Sequence, residues 1–240
     1  MRLVICIFSW ILFWACVPIA QQSQQSQTNT HVIAGGEATS FVDKKFRSDN
    51  HTYESAIRTV QIFPSSGLDP DGKAVQLPPA VAPLAEQNLL LNFDELISQG
   101  HSPFHAKIFH CNADWTVSLL NDIEFLQGYN DFIITQTEYA SGTKVPYIHY
   151  TFELPKVKIS GNFVVMVHRE GNIKDMILTQ RFMVVENLVQ LRAKVSNGSG
   201  VQRQTHQQID FELNYVNYNL VNPREAVKVT LRQNENWSNA

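Results

Sequence analysis

The chain has 240 residues, enough for one or two domains. Hydrophobic residues make up 44% of it, which permits a sizeable core and excludes a collagen-like or wholly disordered chain. Only 17% of residues are charged, and 19 basic residues stand against 22 acidic ones for a net charge of -3. Nucleic-acid binding needs a clustered positive surface, so we exclude DNA and RNA as partners.

Residues 1–20 have the pattern of a secretory signal peptide. Arg2 supplies the positive start, residues 3–15 form an apolar run, and Ala20 is a small residue at a suitable cleavage point. The run is shorter than the about 20 apolar residues of a membrane-spanning helix. We therefore predict an exported protein. Cys16 leaves a lipid anchor open as the weaker alternative, because bulky aromatic residues precede it where lipoprotein signals carry smaller ones.

A flexible tether is predicted for residues 21–54. Residues 21–27 contain only Gln and Ser, with no apolar period to bury, and residues 41–53 are mostly charged or small and polar. The first strong strand pattern is residues 57–63, which Pro64 ends. We therefore expect the folded structure to begin near residue 55.

From there an alternation of period two recurs, which indicates half-buried strands. Its clearest members are Leu89, Leu91 and Phe93, then Ile148, Tyr150 and Phe152, then Met176, Leu178, Phe182 and Val184. Residues 163–167 are apolar on both faces, as in a central strand, and residues 131–139 are rich in β-branched and aromatic types. Residues 115–127 allow one short helix. These patterns predict an all-β fold, an antiparallel immunoglobulin-like β-sandwich over residues 55–186.

The start of a second β-sandwich domain is predicted for residues 188–240. Apolar and polar residues alternate over residues 189–195, 209–215 and 227–231, and a Gly/Ser-rich turn follows the first of these segments. Three strands do not close a sandwich, and a unit of only about fifty residues buries little of its surface. We therefore expect this second domain to be truncated, with more chain to follow.

A cluster of zinc-type ligands, formed by His101, His105, His110 and Cys111, raises the question of a metal site. In an extended strand His105 and Cys111 share one face but lie about 20 Å apart, and His110 points to the other face. One ion cannot contact all of them. We therefore predict no metal site and no cofactor.

Catalytic patterns are also weak. The chain lacks a Gly-x-Ser-x-Gly nucleophile elbow, and Ser199 lies between two glycines in the turn between alternating segments. Asp114 is close to His110 in sequence, but closeness in sequence does not establish the geometry of a catalytic base and its orienting acid. We therefore predict no catalytic residues, and a protein that is not an enzyme.

Six blocks of sequence carry a resemblance to a known family. They are residues 57–64 (IRTVQIFP), 90–94 (LLNFD), 109–115 (FHCNADW), 145–150 (VPYIHY), 179–186 (TQRFMVVE) and 205–211 (THQQIDF). In this order the blocks resemble the plug protein family of the type IX secretion system of Bacteroidota. The most specific piece is the motif His110, Cys111, Asn112, Ala113, Asp114 and Trp115.

The resemblance implies a plug that sits at the periplasmic mouth of a large outer-membrane translocon barrel and closes its pore. The barrel is then the partner, the location is the periplasm beside the outer membrane, and no small-molecule substrate is expected. Wide barrels are not filled by their own side chains, so an idle one leaks unless another protein blocks it. For the motif we favour a structural role, in which Trp115 packs with Cys111 while Asn112 and Asp114 hold a turn, over direct contact with the barrel.

The alternative function is a glycan-binding or other ligand-binding β-sandwich module of an exported protein. Sugar binding needs a flat aromatic platform, which Tyr215, Tyr218 and Trp237 could supply. Their spacing fits core and turn positions equally well, so the sequence leaves this alternative open.

Overall fold

A computed structural model describes the following residues: 28–31, 39–42, 44–65, 80–96, 103–140, 142–198, 203–216 and 218–231. The chain divides into two units, residues 1–43 and 44–240. In the first unit β1 (Thr28–His31) pairs antiparallel with β2 (Thr39–Val42). The predicted signal peptide, Cys16, His101, Ser199 and Trp237 lie outside the described residues. Within the described part of the chain, no helix is long and apolar enough to cross a membrane.

The second unit contains two facing sheets. The first has four antiparallel strands in the spatial order β4 (Ile57–Pro64), β6 (Leu89–Leu96), β10 (Tyr147–Glu153) and β9 (Gln136–Tyr139). The second runs in the order β3 (His51–Thr52), β12 (Met176–Val185), β11 (Gly161–Arg169), β7 (Phe104–Cys111) and β8 (Phe132–Ile134). The short strand β5 (Ala80–Pro83) adds to β12 in parallel, while all other pairings in this sheet are antiparallel. This arrangement confirms the predicted all-β sandwich.

The core lies between the inner faces of these sheets. Phe93 stacks on Tyr150 with ring centroids 4.7 Å apart, and both rings contact Phe104 of the facing sheet. Phe163 and Phe182 stack in the same way at 5.3 Å. Complete burial of such a side chain contributes about 2 kcal/mol, and the contacts of Phe104 with Phe93 and Tyr150 join the two sheets.

The connection from β7 to β9 crosses between the sheets. A short helix, α1 (Asp122–Phe125), lies in the segment predicted to hold one, and its Phe125 is buried against Phe163. The β-rich residues 131–139 form two strands, since β8 joins the six-stranded sheet and β9 the four-stranded one. Asn130 lies just before β8, and its buried side chain accepts from the Ile108 N–H and donates to the Ile108 carbonyl. It thus satisfies the backbone of β7 at a position that β8 does not reach.

The second unit begins before the predicted boundary at residue 55. Residues 44–54, which the sequence assigns to the tether, supply strand β3 and an ion-pair cluster. Glu54 pairs with Lys44 at 2.6 Å and with Arg169 at 2.7 Å, and both cations also pair with Asp175. This segment is held by charge pairs instead of an apolar stripe, so hydrophobic periodicity does not show it.

Beyond Glu186 the described residues form a hairpin of β13 (Gln190–Asn197) and β14 (Gln207–Asn214). Its register places apolar residues opposite one another, Leu191 with Leu213 and Val195 with Ile209. Leu191 and Phe211 remain more than half exposed. A short helix, α2 (Pro223–Ala226), follows. The strand predicted at residues 227–231 is wrong, because alternation forms a strand only beside a neighbour and this segment has none among the described residues.

Candidate functional site

The family-type motif forms a tight turn at the end of β7. The Asn112 N–H donates to the Thr116 carbonyl at 2.8 Å, and the Trp115 N–H donates to the Asn112 carbonyl at 3.0 Å. Asp114 Oδ1 accepts from the Thr116 N–H at 3.0 Å and from its hydroxyl at 2.6 Å. These bonds lower the pKa of the Asp114 carboxyl. Asp114 therefore makes the side-chain-to-backbone bond that the sequence predicts, whereas the Asn112 side chain donates to the Thr116 hydroxyl at 3.0 Å.

Trp115 has a φ of 65°, in the left-handed region that residues with a Cβ avoid. A left-handed conformation costs about 1–2 kcal/mol for such a residue, and it persists only where surrounding contacts over-determine it. Here the hydrogen bonds on both sides of Trp115 fix the backbone. The consequence is that the indole turns back onto the outer face of the six-stranded sheet.

Under the indole lies a small second core. Cys111, Trp115 and Val164 are buried together, and Phe46, Phe109 and Met183 pack against them. Burial raises the pKa of the Cys111 thiol to about 11, so the thiol is uncharged at neutral pH. Phe46 belongs to the segment before residue 55, which this second core therefore helps to hold. The contact of Trp115 with Cys111 is the one predicted from the sequence.

Arg181, from β12, covers the other side of the indole. Its guanidinium carbon lies 4.3 Å from the Trp115 ring centroid, a cation–π contact. Its Nε donates to the Ser48 carbonyl at 2.6 Å, which fixes the side chain further. Burial lowers the pKa of Arg181, which nevertheless stays charged at all ordinary pH values. Sequence analysis missed this residue, because no local pattern indicates a contact across 66 positions.

A cleft of about 740 Å³ opens beside this stack. The motif residues line one side of it, together with Arg181, and residues that follow the hairpin line the other. The lining is formed by Asn112, Ala113, Asp114, Trp115, Arg181, Lys228 and Thr230. The motif thus borders a charged concavity that the sequence does not indicate.

The histidines are separated, as strand parity requires. His105 points to the outer face and bonds Asp131 at 2.8 Å, while His110 bonds Ser118 and packs edge-on against Phe163 in the main core. Burial lowers the pKa of His110. In the described part of the chain, no three His, Cys, Asp or Glu side chains are grouped as a metal site would need.

The tyrosines of the alternative function lie together in the described structure. Tyr215 and Tyr218 both line a second cleft of about 790 Å³ beside the end of β14, and each is about two-fifths exposed. The Tyr218 N–H donates to the Tyr215 carbonyl at 2.9 Å, which forms the turn that holds the two rings on one side.

Fold and turn together define an antiparallel β-sandwich protein whose most specific sequence motif shapes a turn at a sheet end. A family model described as the first domain of the type 9 secretion system plug protein matches residues 57–186, more than half of the chain. The chain therefore belongs to the family of type 9 secretion system plug proteins, and its role is associated with that system. The match confirms the resemblance drawn from the six sequence blocks.

One solved structure provides a further comparison. A crystal structure of a hypothetical protein from Parabacteroides merdae is 29% identical, with a TM-score of 0.65. The alignment covers 75% of this chain and 44% of that one, so this chain spans less than half the length of its structural relative. No curated protein matches the chain.

Proposed function

We propose that the protein docks at the periplasmic mouth of the large outer-membrane translocon barrel of the type IX system and occludes its pore. The family match over residues 57–186 carries this proposal. The predicted export signal supports it, because a periplasmic plug must leave the cytoplasm. The protein acts by docking and not by chemistry, in keeping with a motif whose groups hold a turn.

The sandwich has the mechanical properties that a stopper needs. Its two sheets are joined by a packed aromatic core in which Phe104 contacts Phe93 and Tyr150 of the facing sheet, and a pore-blocking body must keep its shape under load. An exposed apolar segment directly follows the motif turn: Leu119 is fully exposed, Ile123 is 72% exposed and Val117 is 44% exposed. Exposed apolar residues close together mark interaction surfaces, so this segment supports a docking role.

Co-purification from the envelope tests the proposal. We expect a tagged full-length protein to bring a very large outer-membrane barrel out of mild detergent in near-stoichiometric amount. A stable contact should bury more than about 1,000 Å² and so survive washing. The variant Leu119→Ser/Ile123→Ser tests the exposed segment. It removes exposed apolar groups without touching the core, and it should reduce the amount of barrel recovered. Recovery of no barrel from cells that contain one would contradict the proposal.

For residues 188–240 we propose a second β-domain in which further strands cover the apolar face of the β13–β14 hairpin. The exposed Leu191, Val195 and Phe211 motivate this, since a sheet face of this composition is normally buried. A structure of the protein at the length of its relative that leaves Phe211 exposed would contradict it.

The second candidate function is glycan binding at the cleft of Tyr215 and Tyr218. Both rings line the same cleft, which favours a sugar over other classes of ligand because paired exposed aromatic rings suit the faces of sugars. A glycan array with the wild type and Tyr218→Ala separates the two candidates. Binding that the substitution abolishes would support this function, and a blank array would refute it.

A further inference from the structure

We propose that the cleft between the motif turn and Lys228 binds a carboxylate of a protein partner, with Arg181 as its principal ligand. The carboxylate is either an acidic side chain or a chain terminus. The cleft is lined by the turn residues Asn112 and Asp114 together with the two cations Arg181 and Lys228. This assignment does not depend on which protein the partner is, and its test uses the isolated chain.

The first argument is that Arg181 has unused donors. Its backbone N–H bonds Asn50 and its Nε bonds Ser48, but no atom among the described residues accepts a hydrogen bond from its two terminal nitrogens. The nearby Asp49 carboxylate is already held by Arg47, at 2.9 Å and 2.5 Å. A half-buried guanidinium with open donors is suited to a planar acceptor, and carboxylates take such a fork with two bonds.

The second argument is that Arg181 is held in position before any ligand arrives. The Trp115 ring lies under its guanidinium at 4.3 Å, and Nε is fixed on the Ser48 carbonyl. The unusual left-handed backbone of Trp115 is what brings the indole to this place. A strained residue that orients a charged group at a cleft is the kind of observation from which a functional site is inferred.

The third argument is the charge of the lining. Arg181 and Lys228 contribute two positive charges and Asp114 one negative charge, so the cleft favours an anion. The Asp114 carboxylate is turned to Thr116, whose N–H and hydroxyl both donate to it. Lys228 is exposed and makes no ion pair within the described residues, so its ammonium can close over a ligand held by Arg181.

Peptide titrations monitored by NMR test this proposal. The protein is produced without residues 1–20, which leaves two indole N–H signals, and Trp237→Phe assigns the signal of Trp115. Three probes are compared at constant ionic strength: acetyl-Gly-Glu-Gly-amide, acetyl-Gly-Gly-Gly with a free terminus, and the neutral acetyl-Gly-Gln-Gly-amide. We expect saturable shifts of the Trp115 signal with one or both carboxylate peptides and none with the Gln peptide. The carboxylate peptide that binds with the higher affinity shows whether the ligand is an acidic side chain or a chain terminus.

Variants separate binding from folding. Arg181→Gln should weaken carboxylate binding by about tenfold or more, and Arg181→Lys by less, because Lys keeps the charge but loses the two-donor fork. Lys228→Gln should weaken it by roughly threefold, as for one exposed charge. The exposed Lys156→Gln is the matched control and should change nothing. If Arg181→Gln unfolds the protein, the affinities of Arg181→Lys and Lys228→Gln for the carboxylate peptides still show whether the cleft is the binding site. Equal shifts with the Gln peptide, or unchanged affinity in the folded Arg181 variants, would overturn the proposal.

Discussion

Replacing Glu54 by Gln removes the carboxylate that fastens residues 44–54 to the six-stranded sheet. Glu54 accepts hydrogen bonds from Lys44 at 2.6 Å and from both terminal nitrogens of Arg169 at 2.8 Å and 2.7 Å. Burial by itself raises the pKa of Glu54, but the hydrogen bonds and charges of Arg169 and Lys44 outweigh it and lower the pKa from 4.5 to about 2. The carboxylate is therefore more favourable in the folded state than in the unfolded one.

The size of the effect follows from this difference. At 1.36 kcal/mol per pKa unit, the fall from 4.5 to about 2 corresponds to about 3 kcal/mol of folding stability at pH 7. About a quarter of the Glu54 side chain remains exposed, and solvent screens the pairs, so we expect Glu54→Gln to cost on the order of 2 kcal/mol. Because the folded pKa lies below the unfolded one, this stability is present above pH 4.5 and is lost as the pH falls towards 2.

Urea denaturation between pH 7 and pH 3 measures the contribution of Glu54 to stability directly. We expect the difference in free energy of unfolding between wild type and Glu54→Gln to be constant from pH 7 to about 5 and to shrink below 4.5. The control is Glu86→Gln, because Glu86 is exposed and makes no ion pair among the described residues, and it should stay within about 0.5 kcal/mol of wild type. A difference below 0.5 kcal/mol at pH 7, or one that does not shrink on acidification, would refute the reasoning.

Three further substitutions probe the sandwich by the same denaturation assay. Gly161→Ala should cost about 1–2 kcal/mol, because the added Cβ would lie 2.7 Å from Nε2 of His110; wild-type stability would contradict this. Cys111→Ala should cost about 1 kcal/mol, and the folded thiol should resist a thiol reagent at pH 8 because burial raises its pKa to about 11. Asn130→Ala should cost about 2 kcal/mol, because both polar backbone groups of Ile108 lose their buried partner; a loss under 0.5 kcal/mol would show that water replaces the amide.

Alternating apolar residues predict the sandwich well because burial is what forms these strands. Leu91 and Phe93 of β6 and Tyr150 of β10 are completely buried, as their period of two predicts. The same parity separates His105 from His110. Within the sandwich, local pattern and tertiary structure therefore agree.

The remaining features depend on partners that are distant in sequence. Residues 44–54 have no apolar period, and they are held by partners that are distant in sequence, as Lys44 is by Asp175, 131 positions apart. The cleft depends on Arg181 meeting Trp115, and neither residue indicates the other locally. Residues 227–231 show the opposite case, in which a strand pattern is present but no neighbouring strand is among the described residues.

Outer-membrane permeability in a deletion strain tests the plug proposal most directly. The measurement is uptake of a large solute that the outer membrane normally excludes, in cells that retain the assembled translocon barrel. We expect deletion of the gene to leave the barrel in place but open, so that uptake rises, and expect the full-length protein to restore exclusion. If uptake does not rise, even in cells that also lack the barrel's other accessory subunits, the protein does not close the pore.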